Sequence, residues 1–158
     1  MLEATTAIIR DGEEPVLFEL FSAVRSEELG MAGWDAQLRD QILQMQFTAQ
    51  RRSYHEQYPG MVERFILRDG APIGWMMIDD SGGALRCVDL AIMPAERRKG
   101  AATGTLRALQ EKAAATDRPL VLSVLRMNVA ALSLYDRLGF RSVGGNDSHV
   151  CLEWRQTR

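Results

Sequence analysis

The first third of the chain places its apolar residues with the period of an α-helix. A helix is predicted over Glu13–Leu29, where apolar positions recur at spacings of three and four and Gly30 can end it. A second helix is predicted from about Trp34 to Gln57, and Pro59-Gly60 stops it. The two apolar faces are Leu17, Leu20, Phe21 and Val24 in the first helix, and Leu38, Ile42, Met45 and Ala49 in the second. We expect both faces to pack in the core, although the second stripe would also suit a ligand wall.

From Met61 the pattern changes to that of strands. Val62–Arg68 and Ala71–Asp79 are predicted to form a hairpin about Asp69-Gly70, a strong turn signal. The other predicted elements are a short β-prone segment Thr5–Arg10, a strand Ala84–Met93, a helix Ala101–Thr116, a strand Pro119–Leu125, a helix Val129–Leu138, and strands Phe140–Val143 and His149–Trp154. A hairpin followed by strand–helix–strand–helix–strand predicts an α/β fold, with one mixed central sheet flanked by helices.

Composition narrows the class of protein. The 158 residues amount to one domain, since domains commonly run roughly 100–200 residues, and we predict a single domain over 1–158. A net charge of −2 gives no field that would attract nucleic acid or an anionic membrane, and neither partner is expected. Cys87 and Cys151 lack C-x-x-C spacing, which favours reduced thiols and a cytoplasmic location. The sequence shows neither the pattern of a signal peptide nor an apolar run long enough to span a membrane.

The most informative stretch joins the strand that ends near Pro94 to the next helix. Arg97, Arg98 and Lys99 precede Gly100, and the helix then begins with small residues. The first N–H groups of a helix lack internal partners and favour a bound phosphate, and a glycine lets the backbone approach the anion. The stretch matches neither a Walker loop nor the Gly-x-Gly-x-x-Gly of dinucleotide folds. A basic loop that only starts a helix remains the alternative.

A second element follows about thirty residues later. Asn128 is well placed to cap the helix Val129–Leu138, and Gly139 suits the position just after the helix. Tyr135 lies on the apolar face of that helix. From the residues alone, Asn128 is either a cap or a ligand-binding side chain, and Tyr135 is either a core aromatic or a catalytic group.

Together these two elements resemble the GCN5-related N-acetyltransferase (GNAT) superfamily. That family has Arg/Gln-x-x-Gly-x-Gly/Ala after a strand, which here is Arg97-Arg98-Lys99-Gly100-Ala101-Ala102. Its next block has an Asn, a small residue three positions on and a Tyr seven positions on, before Leu-Gly-Phe. Here these are Asn128, Ala131, Tyr135 and Leu138-Gly139-Phe140.

The resemblance implies a single-domain acyl-CoA N-acyltransferase fold whose sheet is splayed between its two central parallel strands, which end here near Met93 and Leu125. Acetyl-CoA is then the cosubstrate, with its pyrophosphate on the N–H groups of Arg98–Thr103 and its pantetheine arm along Leu90–Ile92. The residues that the resemblance assigns to acetyl-CoA are Leu90, Ala91, Ile92, Arg97, Arg98, Lys99, Gly100, Ala101, Ala102, Thr103, Asn128 and Ala131. Members of the family often dimerise, so a homodimer is an expectation.

The implied reaction is direct attack of a primary amine on the thioester, through a tetrahedral intermediate, with Tyr135 as the acid. Some members carry a Glu on the strand before the Asn as the base, but Val121–Leu125 holds Ser123 near that place and no carboxylate. Asp89 or Glu56 would have to act through water, or the amine binds already neutral, and we assign no base. A non-catalytic CoA-binding module and a transferase of longer acyl groups are the alternatives.

The acceptor is not identified by any motif. Its candidate contacts are Trp34, Phe47, Tyr54, His55, Tyr58, Trp75 and Trp154, for most of which core packing is the expectation. No metal site is predicted, because His55 and His149, the two histidines, are far apart in the sequence and show no ligand spacing.

Overall fold

The computed structural model describes residues 4–157, so residues 1–3 and 158 of the predicted domain lie outside the described part. The strands are β1 (Thr5–Ile8), β2 (Val62–Arg68), β3 (Ala71–Asp79), β4 (Leu85–Ile92), β5 (Leu120–Leu125), β6 (Arg141–Gly145) and β7 (His149–Trp154). The helices are α1 (Glu14–Glu28), α2 (Ala36–Gln57), α3 (Ala101–Ala115) and α4 (Val129–Arg137), with a short 3-10 turn at Pro94–Glu96. The predicted elements are thus confirmed, with ends displaced by one to a few residues.

All seven strands form one mixed sheet, in the order β1-β2-β3-β4-β5-β7-β6. The β2–β3 hairpin turns at Asp69 and Gly70, whose φ angles of 53° and 78° are both positive, as a two-residue hairpin turn requires. Strands β4 and β5 are the parallel neighbours, and the remaining pairs in the described sheet are antiparallel. The predicted α/β class with a mixed sheet is therefore confirmed.

The sheet opens between β4 and β5. Their pairing runs from Leu85 opposite Leu120 to Cys87 opposite Leu122 and stops there. At that point the register of β4 against β3 shifts, so that Val88 is an extra, bulged residue. Strand β5 instead remains paired with β7 as far as Leu125. The two central strands therefore diverge beyond Cys87, which is the predicted splay.

Helices cover the two faces of the sheet unequally. On one face α3 and α4 pack over most of the sheet, around buried residues such as Leu106, Leu120 and Phe140. On the other face α1 and α2 pack over β2, β3 and β4 only. Beyond β4 that second face has no helix among the described residues, and Ser123, Leu125 and Cys151 are exposed there. The splay therefore opens onto the uncovered half of this face.

The apolar face of α2 differs from the prediction. Leu38 and Met45 are 50% and 66% exposed, and Ala49 is exposed as well, so the expectation that these residues pack in the core was wrong. Ile42, the fourth residue of the stripe, is partly buried and does pack against the core. The buried residues are Leu43 and Phe47. Phe47 lies with its ring centroid 5.3 Å from those of Phe18 and Phe21 of α1, and this aromatic cluster sets which side of α2 faces inward. The predicted face of α1 is confirmed, since all four of its residues are buried.

The end of α4 also differs slightly from the prediction. Strand β6 begins at Arg141 rather than Phe140, which is buried and packs edge-on against Tyr135 at 5.4 Å between ring centroids. Gly139, with φ of 89°, makes the turn between helix and strand. Phe140 thus packs against Tyr135, the side chain of α4 that the sequence analysis identified as a candidate acid.

Candidate active site

A cleft of about 400 Å³ occupies the splay between β4 and β5. Both strands, all the helices except α3, and the start of β7 contribute to its walls. Its polar and titratable lining residues are Arg25, Glu28, Gln50, Tyr54, Trp75, Cys87, Asp89, Ser123, Asn128, Tyr135 and His149. The structure therefore brings Leu90, Ala91, Asn128, Ala131 and Tyr135, all predicted from the sequence, to one opening.

The beginning of α3 offers unoccupied backbone donors. Its N-cap is Gly100, with φ of 83°, and no side chain caps the helix, whereas Asp35 and Asn128 cap α2 and α4. The first intrahelical bond found here is from the N–H of Gly104 to the carbonyl of Gly100, at 2.9 Å. The N–H groups of Ala101, Ala102 and Thr103 thus lack partners within the helix. A Cβ built on Gly100 meets nothing within 4 Å, so the space beside the N-cap residue is open.

The basic side chains before α3 have different partners. Arg97 donates to the carbonyl of Ile92 at 3.1 Å and to Glu27 of α1 at 2.5 Å, so its guanidinium ties the loop to α1. Lys99 lies 3.6 Å from Glu96. Arg98 is exposed and has a positive φ of 63°, which with Gly100 curls the loop around the helix start. Arg98 and the backbone thus offer the clearest anion contacts of this loop.

The edge of β4 that faces the splay extends over Leu90–Ile92. These residues stay paired with β3, Leu90 with Met76, Ala91 with Trp75 and Ile92 with Gly74, but they have no β5 partner. On the other side of the cleft, the side-chain oxygen of Asn128 accepts a hydrogen bond from the N–H of Ala131 at 3.2 Å. This bond confirms that Asn128 caps α4. The amide nitrogen of Asn128 has no partner in the described chain and remains a free donor at the cleft.

Tyr135 enters the cleft from α4. Its ring is fixed by Phe140, and its hydroxyl has no hydrogen-bond partner within residues 4–157. Burial raises the pKa of this phenol well above its ordinary value, and the neighbouring Cys87 and Asp89 raise it further. The hydroxyl is therefore fully protonated at neutral pH and free to donate into the cleft.

Asp89 is the carboxylate that the bulge in β4 turns into the cleft. Its two oxygens accept from the indole N–H of Trp75 and from the backbone N–H of Leu90, each at 3.0 Å. Burial raises the pKa of Asp89 despite these two donors. Burial likewise raises the pKa of the Cys87 thiol to about 12, with Asp89 adding to the shift, so this cysteine is not a thiolate nucleophile.

Four polar residues of the cleft were not singled out as acceptor contacts by the sequence. Arg25 and Glu28 lie at the end of α1, 3.5 Å apart, and Gln50 of α2 donates to the hydroxyl of Tyr54 at 3.2 Å. His149 begins β7 opposite Leu125. Tyr54, which the sequence did propose, has its pKa raised to about 12 by burial and by Asp89. The packing of α1 and α2 on β4 and the pairing of β7 with β5 bring these residues together, and no local sequence pattern predicts either contact.

Other predicted acceptor contacts lie elsewhere. His55 bonds to Glu63 on β2 at 3.2 Å, and neither it nor Glu56 is among the residues that line the cleft. Trp75 does line the cleft and Phe47 is buried in the core, whereas Trp34, Tyr58 and Trp154 do not reach the cleft.

In the described part of the chain no group of three or more His, Cys, Asp or Glu residues is placed to hold a metal. Nor does any described helix have the length and apolar character needed to cross a membrane.

Comparisons with known proteins agree with this architecture. The family model described as "Acetyltransferase (GNAT) family" matches residues 18–140. A search of curated proteins found no match.

Several solved structures have a similar fold. A PaiA N-acetyltransferase from Thermoplasma acidophilum, in complex with coenzyme A, has a TM-score of 0.73 at 13% identity, over 98% of this chain and 100% of that one. An acetyltransferase from Thermus thermophilus has a TM-score of 0.70 at 17% identity, over 98% of both chains. The ribosomal-protein-S18-alanine N-acetyltransferase from Escherichia coli has a TM-score of 0.67 at 14% identity, over 96% of this chain and 93% of that one. At these identities the likeness is one of fold.

Proposed function

Since this chain belongs to the acetyltransferase (GNAT) family, we propose that it transfers an acetyl group from acetyl-CoA to a primary amine. The observation that carries the proposal is the position of Tyr135. An unpartnered, protonated hydroxyl lies in the same opening as the unpaired edge of β4, and the uncapped start of α3 follows that strand. These are the parts needed to hold a thioester and to donate a proton to its sulfur.

The cosubstrate side is assigned to the backbone of Arg98–Thr103 and of Leu90–Ile92. The N–H groups before and within the first turn of α3 would hold the pyrophosphate, aided by the charge of Arg98, because a helix start stabilises an anion. The free edge of β4 would pair with the amide-rich pantetheine arm as an added strand does. Asn128 retains its amide N–H for the same arm, and the half-buried Ala131 leaves room beside it.

The acceptor side is assigned to the face that α1 and α2 cover. Asp89, Glu28 and Tyr54 lie on this side of the cleft, and the two carboxylates suit a positively charged amine. Arg25 balances part of that charge through its contact with Glu28. Tyr135 comes from α4, on the opposite face of the sheet. Amine and acid thus approach the thioester carbon and sulfur from opposite sides.

The proposed reaction balances with these groups. The neutral amine attacks the thioester carbon, a C–N bond forms, and the C–S bond then breaks. Tyr135 gives its proton to the leaving sulfur and regains one from the substituted nitrogen, so that free thiol and amide are released and the phenol is restored. General acid help of this kind typically contributes about 10²–10⁴ in rate.

The test is a thiol-release assay with acetyl-CoA across small amines, polyamines, aminoglycosides and peptide N-termini. We expect turnover that requires both acetyl-CoA and an amine, with the acetyl group found on nitrogen by mass spectrometry. Binding of CoA, measured by calorimetry, without turnover of any amine would instead support a non-catalytic CoA-binding module. Turnover of longer acyl-CoA in preference to acetyl-CoA would correct the donor.

A further inference from the structure

We propose that His149 is the base that removes the proton from the acceptor ammonium; the inference rests on the proposed function. His149 lines the cleft at the start of β7 and faces the side of the sheet where Asp89 and Tyr54 lie. No carboxylate of β5 points into the cleft, since that strand carries Ser123 and Leu125 there. His149, which pairs with Leu125, therefore supplies an imidazole on the β5 side of the cleft, where β5 itself offers no carboxylate.

The hydrogen bonds around His149 decide which ring nitrogen carries the proton. The side-chain oxygen of Asn146 accepts from the backbone N–H groups of Ser148 and His149, at 2.9 and 2.8 Å, so this atom is the amide oxygen rather than the nitrogen. The Ser148 hydroxyl lies 3.1 Å from the same oxygen, and it can only donate to it. The single hydroxyl proton of Ser148 is therefore engaged in the hydrogen bond to Asn146.

The same Ser148 oxygen lies 2.8 Å from Nδ1 of His149. With the hydroxyl proton directed to Asn146, this contact requires that Nδ1–H donates to the Ser148 oxygen. Nε2 then carries the lone pair and has no partner in the described chain. The chain Asn146–Ser148–His149 thus selects the tautomer in which Nε2 is the proton acceptor, because a hydrogen bond at one ring nitrogen determines the role of the other.

The resulting step is a simple proton transfer. The ammonium nitrogen of the acceptor gives one proton to Nε2 of His149, which leaves a neutral amine and an imidazolium that later releases the proton to solvent. Asp89, whose two oxygens already accept from Trp75 and Leu90, attracts the ammonium rather than deprotonating it. The charged and titratable groups that line this cleft with His149 are Arg25, Glu28, Tyr54, Cys87, Asp89 and Tyr135.

The first test is spectroscopic and needs no turnover. Long-range ¹H–¹⁵N correlation spectra report which ring nitrogen of a neutral histidine carries the proton, and His55→Ala assigns the signals, because the chain has two histidines. We expect the Nδ1–H form for His149 and its loss in Ser148→Ala. An Nε2–H form in the wild-type protein would overturn the proposal, whether or not an acceptor is known.

The second test is kinetic. His149→Ala should lower kcat about 10²-fold or more, leave the affinity for CoA unchanged, and regain part of its rate with added imidazole. His55→Ala, which lies outside the cleft, should keep the wild-type rate and gain nothing from imidazole. A His149→Ala enzyme with the wild-type rate, or one that imidazole does not rescue, would refute the role of His149 while leaving acetyl transfer by the wild type intact.

Discussion

At the scale of single residues, some polar groups of the cleft already have hydrogen-bond partners in the protein and others have none. Asp89 has a protein donor on each oxygen, and Asn128 uses its oxygen as a helix cap. The hydroxyl of Tyr135 has no protein partner in the described chain. Tyr135 is only half-buried, so this free hydroxyl is open to a partner that arrives with the substrate.

Replacing Tyr135 with Phe removes this hydroxyl and keeps the ring that packs on Phe140. We expect kcat to fall by about 10²–10⁴ while the dissociation constant for CoA stays within about twofold, since the lost group acts on the leaving sulfur. Tyr58→Phe is the matched control, because Tyr58 is also a tyrosine but does not line the cleft. An unchanged kcat in Tyr135→Phe, measured by thiol release, would exclude the acid role.

A second residue-scale prediction concerns the pair that joins α2 to β2. Burial acts to raise the pKa of Glu63, but two hydrogen bonds from Arg51, at 2.7 and 3.0 Å, outweigh it and hold that pKa below its ordinary value. A carboxyl with a lowered folded-state pKa stabilises the protein above its unfolded-state pKa, and this contribution is lost as pH falls through the folded-state pKa.

Arg51→Met should therefore destabilise the protein by about 1–3 kcal/mol at pH 7, because the half-buried Glu63 loses both hydrogen bonds from Arg51 and keeps only the contact with His55. The difference from the wild type should shrink as pH falls and Glu63 takes up a proton. Urea unfolding at pH 7 and at acid pH measures both effects, and Arg52→Met, at an exposed neighbouring position, is the control. An equal loss at both pH values would show that the charge of Arg51 is irrelevant.

At the scale of elements, α3 and α1 begin without a side-chain cap, whereas α2 and α4 have one. Gly100 at the start of α3 adopts a positive φ that side chains rarely allow, and nothing fills the space beside it. A cap there would satisfy the helix but occupy the place of a phosphate. The missing cap is consistent with a helix start that is kept open for an anion.

Gly100→Glu tests this assignment by placing bulk and negative charge in front of the helix. We expect CoA binding, measured by calorimetry, to weaken at least about 10-fold, with a cost to folding of roughly 1–2 kcal/mol for the left-handed backbone. Gly12→Glu is the control, because Gly12 has a similar φ of 89° and equally open surroundings at the far turn before α1. Undiminished CoA binding by Gly100→Glu would refute the placement of the pyrophosphate.

At the scale of the whole molecule, the cleft exists because β4 stays paired with β3 while it separates from β5. Gly74 of β3 packs so closely against β4 that an added Cβ would lie 2.2 Å from the carbonyl oxygen of Ala91. This contact holds the same stretch of β4 whose other edge is free. The splay is therefore supported from the side opposite to the cleft.

Gly74→Ala should disturb both stability and binding. The added Cβ would clash with the backbone of Ala91, which can move only if β4 shifts. We therefore expect the free energy of unfolding to fall by about 1–3 kcal/mol and Tm to fall by roughly 2–4 °C per kcal/mol. The dissociation constant for CoA should rise at the same time, since Ala91 lines the cleft. Gly82→Ala, with open space around it, should change neither quantity. Differential scanning calorimetry and titration with CoA provide the two measurements.

The sequence predicted those parts of the molecule that local patterns encode. The period of α1, the turn at Asp69-Gly70, the cap at Asn128 and the glycine turn at Gly139 depend on a few neighbouring residues, and the structure contains all of them. The face of α2 was wrong because the aromatic contacts of Phe47 with α1 decide it, and these join residues distant in sequence.

The candidate site divides in the same way. The half proposed for the cosubstrate lies on two contiguous motifs, so its residues could be predicted from the sequence. The acceptor half is assembled from α1, α2, β4 and β7, and the Val88 bulge that turns Asp89 inward is not visible in the sequence. The orientation of His149 depends on a loop geometry that only the folded chain shows.

In the proposed complex the phosphates of CoA take the place of a cap on α3, so the stability of the fold would depend on the concentration of CoA. When CoA is present at 100 times its dissociation constant, mass action adds about 2.7 kcal/mol to the free energy of unfolding. Starvation for the metabolite withdraws this increment, and the share of chains open to proteases rises about a hundredfold. The lifetime of the protein would then vary with the concentration of its own cosubstrate.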